Sequence, residues 1–512
     1  MDKNKIPMKK IIFALITLFT LSAGAQTLKF KVEGLNDTTV FLAKYFGPKL
    51  YYADTTISKN GVITFNGDKH APGMYAVVLP GTRYFEFVHD KEAVDMYTSD
   101  INDLTGNMKV NKSINNQVFY QYIFFMTEHK KKMSELTKQY EAAPVDSPER
   151  DRIREESKTL NDEVYAYQQK LVKEHEGKFI AVLIKMSMDI QLPEPPKDEN
   201  GVITDSNYVY NYYIAHYWDG VDFKDARLVN TPIFHNKLEK FFSKDGILQI
   251  PDTIIKYSVW MLDQMDKTDQ SNKMFQYTLH HITYKYETMQ IMGMDRVFWY
   301  LGTNYYCPPN NYAYWMSKEN LDKLCDRVQK VSRTLIGNFA PMLILTDTTE
   351  QNWINLYKVE AEYTILYFWD PNCGHCKKST PKLQTLYEKK FKARNIEIYA
   401  VAKATGDDFE DWKKFIVEHN LKFINVGLTK NVYNEAMKDP RPLLQKTTLE
   451  SLNYSDTYDI YSTPKIFVLD KEKKIKFKQI GISQLEIIMD DITGHKDDVK
   501  LFPNEEEDAD IH

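Results

Sequence analysis

The stretch TILYFWDPNCGHC at residues 364–376 decides the fold of the C-terminal part of this 512-residue chain. Residues 364–369 form a continuous apolar run, which is typical of a central strand covered on both faces. A CxxC pair follows, and a helix is predicted from about Gly374 to Phe391. The sequence therefore predicts a buried strand that brings Cys373 and Cys376 to the start of a helix.

The segments around this stretch alternate between strand and helix once the chain has passed Gly337. The predicted elements are a strand at 396–401, a helix at 408–418, and strands at 466–469 and 475–480. A βαβ unit followed by a terminal strand pair is an α/β sheet of thioredoxin type. We assign residues 336–493 to this domain.

Two cysteines at a helix start have a chemical consequence. The helix N-terminus concentrates unpaired N–H groups and partial positive charge, which stabilise the thiolate of Cys373. Thiolate is the attacking species, and two intervening residues keep Cys376 close enough to attack a mixed disulfide formed on Cys373. We assign Cys373 as the catalytic nucleophile and Cys376 as the catalytic resolving cysteine, with protein or peptide thiols and disulfides as substrates.

The motifs of this domain resemble those of the TlpA/ResA-like thioredoxin-fold proteins exported by Gram-negative bacteria. Gly337 with Ala340-Pro341 is similar to the opening segment of the family, and WDPNCGHC at 369–376 is similar to its active-site run. Pro381 matches the kink proline of the active-site helix, and YDIYSTP at 458–464 resembles the cis-proline loop.

The resemblance implies an activity and a set of site residues. It implies a thiol-disulfide oxidoreductase of protein disulfide reductase or isomerase type, in which Pro464 is cis and lies against the cysteines. It also implies that Thr463, Pro464 and Trp369 form the substrate-binding surface. Gly374 and His375 match the dipeptide of protein disulfide isomerases, in which an imidazole lowers the thiol pKa further. We expect no cofactor, and an unidentified redox partner that exchanges electrons with the pair.

One position departs from the pattern of many thioredoxins. Those proteins carry a buried carboxylate six residues before the first cysteine, and Tyr367 stands at that place here. A direct carboxylate relay to Cys376 is therefore not expected. Lys403 and Glu362 are the substitutes to consider.

Other chemistries of cysteine fit this sequence less well. A zinc site would need two more ligands, and the sequence has no second closely spaced pair, so no metal site is predicted. A thiol peroxidase would need Thr or Ser three residues before its reactive cysteine, where Asp370 stands. For Cys307 and Cys325, a structural disulfide and two buried thiols both remain open.

The chain ahead of this domain has its own patterns. Period-two alternation over 26–111 predicts a small antiparallel β-sandwich-like domain. Within it, Asn60-Gly61 predicts a hairpin turn, because both central positions of a type I′ turn need positive φ. Apolar residues spaced three or four apart over 112–335 predict an all-α middle domain, in which Ser147-Pro148 provides an N-cap and a first-turn proline for one helix. Residues 494–512 are predicted to form an acidic tail. Together, the β, helical and thioredoxin-like domains give an expected fold class of multidomain α+β.

The first 25 residues have the pattern of a cleavable signal peptide. A lysine-rich start precedes the apolar segment 11–21, and Ala23-Gly24-Ala25 is a small-residue cleavage site. We expect an exported protein, periplasmic or secreted, without stable membrane insertion after cleavage. The formal net charge of −5 does not indicate a basic surface for binding nucleic acid.

Two functions of different class remain open from the sequence. The first is an enzyme that reduces, exchanges or isomerises protein disulfides through Cys373 and Cys376. The second is a non-catalytic exported binding or assembly protein that uses the thioredoxin fold as an interaction module. The β and helical domains are hypothesised to dock substrates or to form a homodimer.

Overall fold

The computed structural model describes residues 26–503, so the predicted signal peptide and the last nine residues of the acidic tail lie outside the described residues. The chain divides into two compact units. The first runs up to Val221 and includes Arg227–Leu238, and the second comprises Asp222–Ala226 and the chain from Glu239 onward. The predicted helical region 112–335 therefore contributes to both units.

Two four-stranded sheets form the beginning of the first unit. Their strands are β1 (Thr27–Val32), β2 (Thr39–Phe46), β3 (Lys49–Ile57), β4 (Val62–Asn66), β5 (Gly73–Val78), β6 (Tyr84–His89), β7 (Val94–Thr98) and β8 (Met108–Lys112). One sheet has the order β4-β1-β7-β8 and the other β3-β2-β5-β6. Leu28, Phe30 and Val32 of β1 are fully buried, as the period-two pattern predicted. The strands β1 and β7 run parallel, whereas an antiparallel arrangement was predicted throughout.

The predicted turn at Asn60-Gly61 forms between β3 and β4. Both residues have positive φ, 50° and 73°, and a β-bridge joins Lys59 to Val62. A Cβ on Gly61 would lie 2.4 Å from the carbonyl oxygen of Val32, so glycine is required there. The two strands that the turn joins belong to different sheets.

Helices occupy the middle of the chain. They are α1 (Ile114–Ala142), α2 (Pro148–Glu174), α3 (Phe179–Ser187), α4 (Tyr208–His216), α5 (Pro232–Phe241), α6 (Pro251–Asp263), α7 (Lys273–Thr288), α8 (Asp295–Leu301) and α9 (Lys318–Arg333). The N-cap Ser147 accepts a hydrogen bond from the N–H of Arg150, and Pro148 opens α2, as predicted. Cys307 and Cys325 form a disulfide, which decides between the two alternatives that the sequence left open.

A seven-stranded sheet with helices on both faces forms the C-terminal part of the second unit. Its strands are β9 (Ile344–Thr346), β10 (Trp353–Asn355), β11 (Tyr363–Trp369), β12 (Ile396–Ala404), β13 (Ile424–Thr429), β14 (Lys465–Leu469) and β15 (Ile475–Lys478). Its helices are α10 (Gly374–Leu386), α11 (Asp408–Glu418), α12 (Lys430–Lys438), α13 (Leu449–Leu452), α14 (Tyr454–Thr457) and α15 (Ile482–Ile492).

The strand order of this sheet is β10-β9-β13-β12-β11-β14-β15. The strands β11, β12 and β13 are parallel, and β14 and β15 are antiparallel to their neighbours. This arrangement is thioredoxin-like and confirms the predicted α+β fold class. The active-site helix is shorter than predicted, because the backbone turns to a π-helical conformation over Tyr387–Phe391.

The central strand β11 is buried on both faces, as its continuous apolar run predicted. Ile365, Tyr367 and Trp369 belong to the core on one face, and Leu366 and Phe368 belong to the core on the other. Each of these side chains is at most 1% exposed. The strand end that carries the cysteines is therefore fixed from both sides.

The beginning of the predicted acidic tail packs against α15. The Glu486 carboxylate accepts hydrogen bonds from the N–H groups of Leu501 and Phe502, at 2.8 and 2.9 Å. The Lys500 amine lies 2.7 Å from Asp490 Oδ2. The prediction of an acidic tail therefore now applies only to residues 504–512.

Candidate active site

The two cysteines lie at the start of α10, directly after the turn that ends β11. Cys373 is the N-cap residue, and its carbonyl accepts the first intrahelical hydrogen bond from Lys377, at 3.0 Å. The N–H of Cys373 donates to the carbonyl of Asp370 at 3.1 Å, which closes the turn. Both thiols are free, with Cys373 partly exposed and Cys376 fully buried. An incoming sulfur atom can therefore reach Cys373 but not Cys376.

The surroundings shift the pKa values of the two thiols in opposite directions. Partial burial acts to raise the pKa of Cys373, but hydrogen bonds from the N–H groups of Cys376 and His375, from the Cys376 thiol and from the Thr463 hydroxyl outweigh it and lower that pKa. Burial raises the pKa of Cys376 to about 12, although the Asp370 N–H donates to its Sγ at 3.4 Å. Cys373 is the thiol that ionises first.

The predicted cis-proline loop lies against Cys373. The peptide bond between Thr463 and Pro464 is cis, as predicted. The Cys373 thiol donates to the carbonyl oxygen of Thr463 at 3.3 Å. The structure therefore brings Thr463 and Pro464 next to Cys373 and Cys376, which stand about ninety positions earlier in the sequence.

Trp369, predicted to bind substrate, lines a cleft beside the cysteines, but almost all of its side chain is buried. Its side chain is 1% exposed, and its ring packs edge-on against Phe415 with the ring centroids 5.1 Å apart. As placed, the ring supports the core beneath the cysteines. Gly374 and His375 are exposed in the first helical turn, and the predicted role of the imidazole stays a prediction.

Tyr367 stands where many thioredoxins carry a buried carboxylate, and its side chain is fully buried. The Tyr367 hydroxyl lies 2.9 Å from Thr380 Oγ1, and burial raises its pKa well above the ordinary tyrosine value. It therefore cannot accept a proton from Cys376 near neutral pH. Glu362 is exposed and precedes β11, at the strand end opposite to the cysteines, so it does not substitute for the relay.

Lys403 reaches the active-site loop through two carboxylates. Its amine lies 3.0 Å from Asp370 Oδ2 and 3.4 Å from Asp408 Oδ2. The Asn372 amide donates to Asp408 and Asp411 at 3.0 and 2.9 Å. The turn before Cys373 is thus tied to β12 and α11. Sequence reasoning missed Asp370 and Asn372, although Asp-Pro-Asn is a strong turn signal.

A cleft of about 260 Å³ opens beside the cysteines. Its lining includes Asp370, Lys403, Tyr454, Tyr461 and Thr463. We call it the active-site cleft. Because Thr463 also contacts Cys373, a chain held in this cleft lies next to the reactive sulfur.

No site for a metal ion is evident in residues 26–503, where groups of three or more His, Cys, Asp or Glu side chains do not converge. Within the same residues, none of the helices combines the length and apolar character needed to cross a bilayer.

Iodoacetamide is expected to modify Cys373 and to leave Cys376 unmodified in the folded, reduced protein. Only thiolate reacts, and the lowered pKa gives Cys373 a larger thiolate fraction at neutral pH than an ordinary thiol has. Peptide mass spectrometry across about pH 6 to about pH 9 should show the Cys373 rate levelling off below the pH of an ordinary thiol near 8.5. Denatured protein, in which both cysteines should react, is the control. Preferential modification of Cys376 would contradict the assignment.

Three family models match the chain. The model described as the AhpC/TSA family matches residues 336–478. Two models of domains of unknown function match earlier parts of the chain, DUF5106 at residues 147–334 and DUF4369 at residues 27–119.

Individual proteins resemble the C-terminal domain. The chain is 29% identical over 147 residues to the thiol-disulfide oxidoreductase ResA of Bacillus cereus, which covers 28% of this chain and 70% of that protein. The ResA of Bacillus anthracis is 29% identical over 146 residues, with the same two coverages. The crystal structure of a domain of a possible thiol-disulfide isomerase from Cytophaga hutchinsonii is 38% identical and covers 31% of this chain and 94% of that one, with a TM-score of 0.25.

Proposed function

We propose that this chain, whose thioredoxin-fold domain is similar to that of ResA proteins, is an exported thiol-disulfide oxidoreductase in which Cys373 and Cys376 carry the reaction. The observation that carries the proposal is the asymmetry of the pair. One thiol is accessible, has a lowered pKa and touches the cis-proline loop, and the other is buried with a raised pKa.

The first step is attack by the Cys373 thiolate on one sulfur of a client disulfide. A bond forms between Cys373 Sγ and that sulfur, the client disulfide breaks, and the other client sulfur leaves as a thiolate that takes up a proton. The start of α10 stabilises the attacking anion. The product is a mixed disulfide between Cys373 and the client.

The second step is attack by Cys376 on Cys373 Sγ. Cys376 passes its proton to water and its sulfur bonds to Cys373 Sγ. The bond between Cys373 and the client breaks, and the second client sulfur leaves as a thiolate that takes up a proton. Two electrons have then passed from the enzyme to the client, and an external dithiol must return them. The Asp370 N–H, 3.4 Å from Cys376 Sγ, stabilises the attacking thiolate.

The substrate class is an extended polypeptide that contains a disulfide. We propose that it lies in the active-site cleft and pairs with the backbone at Thr463, next to Pro464, so that its sulfur meets Cys373. A peptide strand supplies the main-chain donors and acceptors that such pairing needs. This mode of binding accepts many sequences, as a general disulfide reductase or isomerase requires.

An exported location fits two features of the chain. The first 25 residues have the pattern of a signal peptide. The disulfide between Cys307 and Cys325 is of the kind that persists in oxidising compartments such as the periplasm. We propose that the mature protein works in the periplasm or outside the cell.

Insulin reduction tests the proposed function. With dithiothreitol as reductant, catalytic amounts of the full chain are expected to accelerate precipitation of the insulin B chain severalfold over dithiothreitol alone. A chain whose CxxC was alkylated beforehand is the control. Equal rates with active and alkylated protein would reject the enzyme and favour the non-catalytic binding protein.

A further inference from the structure

Four residues form a closed ring of polar contacts around the turn that precedes Cys373. The Lys403 amine of β12 lies 3.0 Å from Asp370 Oδ2 and 3.4 Å from Asp408 Oδ2. The Asn372 amide donates to Asp408 Oδ1 at 3.0 Å, and the backbone N–H of Asn372 donates to Asp370 Oδ1 at 2.7 Å. Each of the four residues therefore contacts two others. We call this set the turn ring.

Asp370 connects the turn ring to both cysteines through its backbone. Its N–H donates to Cys376 Sγ at 3.4 Å, and its carbonyl oxygen accepts from the N–H of Cys373 at 3.1 Å. Its side chain is only 15% exposed, so water can replace few of the contacts that the carboxylate makes with the protein. The ion pair with Lys403 therefore helps to fix the residue whose N–H reaches the buried sulfur.

Lys403 does not itself take the proton of Cys376. The hydrogen bond to Asp370 raises the pKa of Lys403 above the ordinary lysine value, against the opposing effect of partial burial. The amine is therefore charged near neutral pH, and a charged amine has three N–H donors and no lone pair that could accept a proton. The route from Lys403 to Cys376 is the contact through Asp370.

We propose that Lys403 is a positioning residue for the second step of the reaction, in which it acts through Asp370 to hold the N–H that stabilises the Cys376 thiolate. In that step Cys376 Sγ bonds to Cys373 Sγ, its proton goes to water, and the client sulfur leaves with the electron pair of the broken bond. The first step uses the Cys373 thiolate, which is stabilised by the helix start and by groups outside the turn ring. Lys403 therefore affects the second step and not the first. This inference rests on the proposed function, because it assigns a residue to the same reaction.

A reagent that releases a coloured thiolate in each step separates the two steps. Dithiobis(nitrobenzoic acid) is a small aromatic disulfide that loses one coloured thiolate when Cys373 attacks it and a second when Cys376 displaces the adduct. In stopped-flow experiments on the reduced full chain, the rate of the first phase should depend on the reagent concentration and that of the second phase should not. Cys376→Ser identifies the second phase, because this variant should lack it.

Lys403→Met is expected to slow the second phase by about tenfold, the effect of losing one hydrogen bond to a charged group, and to leave the first phase within about twofold of the wild type. Lys403→Arg should restore most of the second phase, because a guanidinium also pairs with a carboxylate. An unchanged second phase in Lys403→Met, or equal slowing of both phases, would overturn the inference.

The matched control is Lys430→Met. The side chain of Lys430 is 50% exposed, compared with 52% for Lys403, and its amine lies 3.3 Å from Asp407 Oδ1, outside the turn ring. Both phases should keep the rates of the wild type in this variant. Slowing of the second phase by Lys430→Met as large as that by Lys403→Met would assign the effect to loss of any nearby positive charge and would overturn the inference.

A double-mutant cycle tests the route through Asp370. Asp370→Ala removes the carboxylate that contacts Lys403 but keeps the backbone N–H. In the Asp370→Ala background, Lys403→Met should change the second phase by less than about twofold, because both substitutions remove the same contact. An effect of about tenfold in this background as well would show that Lys403 acts by another route and would overturn the inference.

These measurements also separate the inference from the proposed function. If insulin is reduced but Lys403→Met completes the second phase at the rate of the wild type, the inference alone fails. If the second phase depends on Lys403 but insulin is not reduced, the proposed function fails, and the role of Lys403 in the thiol chemistry of the pair is supported.

Discussion

Replacing Cys373 with serine is expected to lower the rate of insulin reduction at least about a thousandfold. A serine hydroxyl does not ionise near neutral pH, so the attacking anion is lost even though the helix start remains. The substitution changes one atom of a partly exposed side chain, and the fold should be retained. Turnover in the dithiothreitol-coupled insulin assay is the measurement.

The matched control for this substitution is Cys376→Ser. It should also stop multiple turnovers, but it should keep the first half of the reaction and release one client thiol per enzyme molecule. Cys373→Ser should release none. Residual turnover of Cys373→Ser near that of the wild type would mean that another thiol attacks the client.

Replacing Lys390 with methionine is expected to destabilise the thioredoxin-like domain by about 3 kcal/mol. The amine of Lys390 lies 2.5 Å from Glu486 Oε1 and 2.8 Å from Asp490 Oδ2, and both carboxylates are fully buried. Removing the amine leaves two buried carboxylates with one cation fewer. Denaturant unfolding monitored by circular dichroism should show a transition at a lower denaturant concentration than in the wild type.

The control for this prediction is Lys389→Met, because Lys389 is the exposed neighbour in the same turn. This substitution should change the free energy of unfolding by no more than about 0.5 kcal/mol.

The pH dependence of stability gives a further check. The ion pairs and hydrogen bonds of Asp490 lower its pKa to about 2 against the opposing effect of burial. The stability that this group contributes is therefore present above about pH 4 and is lost as the pH falls toward 2, where Lys390→Met and the wild type should converge.

The arrangement of the candidate active site was largely predictable because its signals are local. A continuous apolar run predicts a central strand, and a CxxC directly after it predicts that Cys373 lies at a helix start. Neither prediction depends on distant parts of the chain. The position of Pro464 came from the family resemblance, since no local pattern connects residues ninety positions apart. The burial of Trp369 was likewise predicted by the apolar run of residues 364–369, whereas its assignment to substrate binding came from the family resemblance.

Features that depend on tertiary contacts could not be predicted from the sequence. The turn at Asn60-Gly61 was predicted from its backbone requirements, but which sheets its strands join depends on distant partners. The charge network of Glu486 and Asp490 joins α15 to the segment before residue 503, and isolated charges in sequence do not reveal such pairing.

Trapping the mixed disulfide tests the central claim most directly. The reduced full chain with Cys376→Ser is mixed with a polypeptide that contains one disulfide, quenched with acid and mapped by peptide mass spectrometry. The account predicts a stable adduct that joins Cys373 to a client cysteine, with Cys307 and Cys325 still bonded to each other. An absent adduct, or an adduct on Cys307 or Cys325, would contradict the claim that Cys373 is the attacking thiol.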